Sequence, residues 1–204
     1  LAEGSIRETM KLVPDSAIAF VIVENLKKAS NEIEQCMERM EKSNMLVGGR
    51  PIDMLRAAMG FSSGINENGS LVVYFTAFDQ GSMQYTILVP VKSSDEFIEA
   101  NLQPVQDQGA SRYMTKNGDI VDMHILQNHV AISTPNAGFV EPGLGIAEKI
   151  EGLGQSVDSI LKDADWMLWL DDRAIQELNR GTNESGMADV VDSFLMGIRL
   201  DPLG

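Results

Sequence analysis

Ala17-Ile18-Ala19-Phe20-Val21-Ile22-Val23, followed by Glu24-Asn25, is the stretch on which the fold turns. Seven apolar residues run without a polar interruption behind the turn-forming Pro14-Asp15-Ser16. A run that short and continuous predicts a strand buried on both faces. Beyond it Leu26, Ala29, Ile33, Cys36, Met37 and Met40 recur at spacings of three and four, the mark of a helix with one buried stripe. Asn25 stands where the N-cap of that helix belongs. The same order returns later in Trp166-Met167-Leu168-Trp169-Leu170, then Asp171-Asp172 and a helix through about Leu178. Phe20-Val21-Ile22-Val23 aligns on Met167-Leu168-Trp169-Leu170 and Glu24-Asn25 on Asp171-Asp172. With a shift of one at Ser16, Val13-Pro14-Asp15 falls on Leu161-Lys162-Asp163. Turn, buried strand, acidic cap and helix in both places read as a diverged internal repeat.

The second copy, from about Lys162, reads as unfinished. Its second strand is expected in the tail Ser193 to Asp201, and the chain reaches Gly204 where a hairpin partner should begin. Either the chain is a fragment of a longer protein, or its last strand pairs with the sheet of the first half.

Between the two copies, Gly48-Gly49 breaks the first helix, Pro51 opens a second through Met59, and Gly60 fits its left-handed C-terminal position. Leu71 to Thr76 and Tyr85 to Val91 are β-rich and flank the turn residues Asp79-Gln80-Gly81-Ser82, which predicts a hairpin. Ser93-Ser94-Asp95-Glu96 supplies a cap and acidic first turn for a helix to about Leu102, with Phe97, Ile98 and Leu102 as its apolar side. A further hairpin turns at Gln127-Asn128, so that Leu126 faces His129, Ile125 faces Val130 and His124 faces Ala131. Alternation then places Val121, Met123, Ile125, Val130 and Ile132 on one face and Asp122, His124, His129 and Ser133 on the other. A strand around Arg112-Tyr113-Met114-Thr115, turning at Asn117-Gly118, joins it as a meander. From Gly143 to Leu161 two short helices meet at Gly152-Leu153-Gly154.

The order strand, helix, strand, strand, helix, strand predicts an α+β fold: a ferredoxin-like split βαβ sandwich with helices on one face of an antiparallel sheet, an additional hairpin and a partial second repeat. The expected organisation is an α+β domain over residues 1–161 and the partial repeat over 162–204, packed on the first.

Composition narrows the function. The 204 residues are 44% hydrophobic and 23% charged, enough to bury a core. Asp+Glu 30 against Lys+Arg 16 gives a net charge of -14, which repels phosphate backbones and anionic lipid surfaces, so no nucleic-acid partner is expected. No apolar run approaches the roughly 20 residues of a membrane span, and no membrane insertion is expected. A single cysteine, Cys36, in the helix stripe, excludes an internal disulfide framework and reads as a buried thiol. The chain starts at Leu1 without signal-peptide features, as a processed or trimmed form would.

Three constellations could carry chemistry. Gly60-Phe61-Ser62-Ser63-Gly64 fits the nucleophile-elbow pattern with Ser62 as nucleophile, but the elbow needs a strand before it and a helix after it. Here a helix precedes and a loop follows. Asp122, His124 and His129 share a face of the second hairpin, and two imidazoles with a carboxylate are a ligand set for zinc or a related ion. The plainer reading is a polar sheet face turned to water. Met37, Met40, Met45, Met54 and Met59 in the early helices suit core filling or a groove for an apolar ligand. Gly143-Leu144-Gly145 and Gly152-Leu153-Gly154 do not complete a dinucleotide loop, and no cofactor is expected. Asn68-Gly69-Ser70 and Asn183-Glu184-Ser185 fit the N-glycosylation acceptor, and Asn66 to Gly69 falls short of a calcium loop.

The run Leu12 to Leu26, with the later Leu88-Val89-Pro90-Val91 strand, the acidic helix start and Ala131-Ile132-Ser133-Thr134, resembles a family of uncharacterised exported bacterial proteins found in planctomycete-like genomes. The resemblance spans about residues 11–140 and rests on structural motifs. It implies an extracytoplasmic or periplasmic location, a longer parent chain and no assigned catalytic residue. The expected function is a non-catalytic binding or structural module with a protein partner. The alternatives are a hydrolase or metal-dependent enzyme using Ser62 or Asp122, His124 and His129, and a binder of small apolar ligands.

Overall fold

Among the described residues nine strands join in one antiparallel sheet, and the strand of the first apolar run stands third from one edge. The computed structural model describes residues 6–39, 50–79, 82–105, 111–135, 137, 139, 145–151, 157, 161–162, 164–180 and 193–199. Along the chain these form α1 (Ile6–Met10), β1 (Ala19–Val23), α2 (Leu26–Arg39), α3 (Pro51–Met59), β2 (Leu71–Asp79), β3 (Ser82–Pro90), α4 (Ser94–Asn101) and β4 (Leu102–Pro104). There follow β5 (Arg112–Thr115), β6 (Ile120–Leu126), β7 (His129–Ser133), α5 (Gly145–Glu151), β8 (Trp166–Asp171), α6 (Asp172–Arg180) and β9 (Ser193–Ile198). The sheet order is β4-β5-β6-β7-β3-β2-β1-β8-β9, and every neighbouring pair is antiparallel.

The chain is therefore α+β, but a ferredoxin-like sandwich is not confirmed. In a split βαβ the strand after the first helix runs parallel to the first strand and is separated from it by the second strand of the hairpin, whereas here β2 pairs directly with β1 and runs antiparallel to it. Among the described residues α2 and α3 stand between β1 and β2. The second apolar run does join the sheet of the first half, through β8 on β1, and β9 pairs outside it.

Both faces of the sheet are covered, where the sequence pattern suggested helices on one. Against one face lie Ile6 and Met10 of α1 and Ile146, Ala147 and Ile150 of α5, packed with Phe20, Ile22, Tyr74, Leu88, Ala131 and Trp169. Against the other lie Leu26 and Ala29 of α2, Ile52, Leu55 and Met59 of α3 and Phe97 of α4, packed with Val23, Ile87, Val89, Val130 and Ile132. This is why Ala17 to Val23 has no polar alternation: its side chains enter a core in both directions. Ala174 of α6 closes on Ile18 and Ala19.

The helix ends follow local chemistry. Asn25 Oδ1 accepts from Lys28 N at 2.8 Å and Ser93 Oγ from Glu96 N at 3.3 Å, the expected caps of α2 and α4. Asp171 caps α6, its Oδ1 accepting from Ala174 N at 3.0 Å. Gly60 ends α3 at φ 70°, where a side chain would be strained. Lys28 Nζ donates to Asp165 Oδ1 at 2.5 Å, which ties α2 to the start of β8 and raises the Lys28 pKa above the ordinary lysine value. The side chains of Cys36, Met37 and Met54 and the whole of Met40, Met45 and Gly152 to Gly154 lie outside the described residues.

One row of side chains crosses eight strands. Leu195, Trp169, Phe20, Tyr74, Thr86, Ser133, Asp122 and Arg112 are successive cross-strand partners from β9 to β5. Phe20 and Trp169 stack at 5.5 Å between ring centres. Thr86 Oγ1 and Ser133 Oγ lie 2.8 Å apart with Tyr74 opposite Thr86, all three residues buried. The row ends in the ion pair of Arg112 Nε with Asp122 Oδ1 at 3.1 Å.

Candidate functional site

The β6–β7 hairpin forms in the expected register, with Leu126 opposite His129, Ile125 opposite Val130 and His124 opposite Ala131. Its polar face is not turned to water. Ser133 is buried, as is Ala131, because α1 and α5 cover this side of the sheet. The apolar face has its own exception: Ile125, near the hairpin tip, is 53% exposed. The helical layer ends before reaching it.

The three ligand candidates have separate partners. Asp122 pairs with Arg112 on β5. The His124 ring stacks on Phe139 with centres 4.3 Å apart and planes 20° from parallel. His129 Nε2 lies 2.9 Å from Ser70 O, an acceptor, so that nitrogen carries the proton. Ser70 Oγ in turn donates to Glu24 O and accepts from Thr9 Oγ1, so His129, α1 and the end of β1 meet at one residue. Burial holds the His129 pKa below the ordinary histidine value, against the opposing effect of Ser70 O. Among the described residues no three His, Cys, Asp or Glu side chains are grouped to hold a metal ion.

Ser62 follows the C-terminal glycine of α3, in a loop and not on a strand-to-helix turn. Asn101, the last residue of α4 and buried, organises that loop. Its Oδ1 accepts from Ser62 N at 2.7 Å and Ser62 Oγ at 3.2 Å, and its Nδ2 donates to Ser63 O and Phe97 O. Lys116 Nζ, from the β5–β6 turn, donates to Ser62 Oγ at 2.7 Å. Beside it Asn117 Nδ2 donates to Ala57 O and Ala58 O, the last carbonyls of α3. Sequence reasoning missed both Asn101 and Lys116, which lie 39 and 54 residues from Ser62.

An open recess of about 850 Å³ lies beside the β6–β7 tip. Leu12 and Leu126 give it apolar surface, the His124–Phe139 stack an aromatic plate, and Glu8 and Lys11 an ion pair with Nζ 2.7 Å and 2.9 Å from the two carboxylate oxygens. Gln127 also lines it and, among the described residues, is the one non-glycine at positive φ, at 45°. A two-residue hairpin turn imposes that angle, which glycine or asparagine adopts more readily. Of the recess residues the sequence marked only His124 as a site candidate. Leu12, Glu8 and Phe139 carry no local signal because they arrive from segments over a hundred residues apart.

No family model matches the chain, and no match is found among curated proteins or among solved structures.

Proposed function

We propose that the chain is a non-catalytic binding module of an exported bacterial protein, and that it engages a protein partner at the recess beside the β6–β7 tip. The observation that carries this reading is the meeting, in one open recess, of an aromatic plate, apolar residues, an ion pair and the positive-φ Gln127. The volume is within the range of ligand sites, but the recess is open and mixed in polarity, which suits a peptide segment better than an enclosed apolar ligand. The extracytoplasmic setting rests on the family resemblance alone.

The test is selection of peptides from a random displayed library against the chain. Selected peptides should shift NMR signals of Lys11, His124 and Phe139, and Lys11→Glu should weaken them at least about tenfold, or roughly 1.4 kcal/mol. Peptides that bind elsewhere and ignore Lys11→Glu would contradict the assignment.

The hydrolase alternative is favoured by one contact, Lys116 Nζ on Ser62 Oγ. Lys116 is exposed and donates to Ser62, and Ser62 donates to Asn101, so the hydroxyl is held as a link between α3, α4 and β5. A fluorophosphonate probe should leave the chain unlabelled. Labelling lost in Ser62→Ala would establish the hydrolase instead.

A further inference from the structure

The sheet carries an internal two-fold axis, and its two halves are unequally covered. Val21 and Leu168 face each other across β1 and β8. An axis normal to the sheet through that pair places Phe20 on Met167 and Ile22 on Trp169, and it exchanges the observed pairs Phe20–Trp169 and Ile22–Met167. This is the equivalence that the sequence repeat gives independently. The helices obey it too, since α2 and α6 follow equivalent strands and lie on one face of the sheet.

Carried outward, the axis relates β2 to β9. Val73 lies opposite Val21 and Met196 opposite Leu168, so Leu71, Val73 and Phe75 correspond to Phe194, Met196 and Ile198. Leu71 and Val73 pack into the core beneath α2 and α3, and Phe75 packs on Ile18 and Ala19. Phe194, Met196 and Ile198 are 42%, 36% and 39% exposed. On its outer side β2 bonds to β3, with Val73 opposite Ile87, while among the described residues β9 has no strand on its outer side.

We propose that the outer edge of β9, with Phe194, Met196 and Ile198, docks an antiparallel strand that is the counterpart of β3 and belongs to the same polypeptide. Its chemistry follows from β3, where Tyr85, Ile87 and Val89 supply apolar side chains to the face shared with Val73. The incoming strand carries apolar residues at alternate positions over the exposed row. Ile87 follows Val73 by 14 positions, and the same spacing from Met196 falls at position 210, so the strand is carried beyond Gly204. A second copy of the chain is the weaker occupant. A six-residue strand is about 20 Å long, and pairing two such edges buries well under the ~1,200 Å² of a stable interface, whereas a strand of the same chain needs no such area.

The test is amide hydrogen exchange, with sedimentation, on the native protein at its natural length and on the 204-residue chain. Residues 193–198 should exchange at least about tenfold more slowly in the natural-length protein. There Met196→Asp should restore fast exchange at 193–198 and leave 71–79 slow. If Met196→Asp unfolds the whole protein, the comparison of the two lengths still decides. Three results would overturn the proposal: a natural polypeptide ending at Gly204, equal exchange at both lengths, or slow exchange at 193–198 that appears only as the 204-residue chain dimerises.

Discussion

Thr86→Val removes one hydroxyl from the middle of the row and keeps the shape of the side chain. Ser133 Oγ, 2.8 Å from Thr86 Oγ1, then loses its partner. Ser133 is 1% exposed and Thr86 3%, so water does not replace the lost bond. An orphaned buried hydroxyl costs about 1–3 kcal/mol, which puts the substitution at about 1–2 kcal/mol, since valine also recovers some apolar burial. For a chain of this size that lowers the melting temperature by roughly 2–8 °C. Removing both partners together, Thr86→Val with Ser133→Ala, leaves neither hydroxyl unpaired and should cost less than Thr86→Val alone. Urea unfolding of the single and double variants measures the comparison. A double variant that loses as much as the two single substitutions summed would show the hydroxyls to be independent and the pairing to be without effect.

Three further outcomes follow from local geometry. His129 has a pKa below the ordinary value, so as pH falls below about 6.5 the unfolded chain takes up a proton that the folded chain resists, and stability declines until the folded value is passed. His129→Gln should flatten that decline, read as the urea midpoint against pH; an unchanged slope would place the titration elsewhere. Gly60→Ala should cost about 1–3 kcal/mol in unfolding free energy, because φ is 70° and the new Cβ would lie 2.8 Å from Asn117 Oδ1, whose own amide is engaged with α3. Gln127→Gly should raise stability by about 0.5–1 kcal/mol by relieving its positive φ, and should weaken peptide binding at the recess.

What the sequence made legible was set by short-range chemistry. The β6–β7 register could be read because a two-residue turn and strict alternation leave one solution, and the Asn25, Ser93 and Gly60 caps because each acts within four residues. The four apolar residues aligned in each proposed copy lie on β1 and β8, which pair antiparallel. The neighbours of β1 were not legible, since an apolar run says that both faces are buried but not which strand lies on either side, and the ferredoxin-like expectation is not confirmed. Ile125 looked like core because alternation cannot tell where the covering helices end. Asp122, His124 and His129 were rightly placed on one face, yet Arg112, Phe139 and Ser70 occupy them separately, and those partners come from other segments. The recess draws on α1, the hairpin tip and Phe139, a juxtaposition that only the fold creates.

In the proposed function the chain works by contact at the recess, and its serine and histidine candidates serve the scaffold. The most direct measurement is an exchange footprint of the native protein cross-linked in place and isolated with its partner from the envelope fraction of its source. Protection is expected at residues 8–12 and 124–127 and should be lost in Lys11→Glu, with the Ser62 loop unchanged. Protection centred on Ser62 and Lys116, or a native protein in the envelope with no partner, would contradict it.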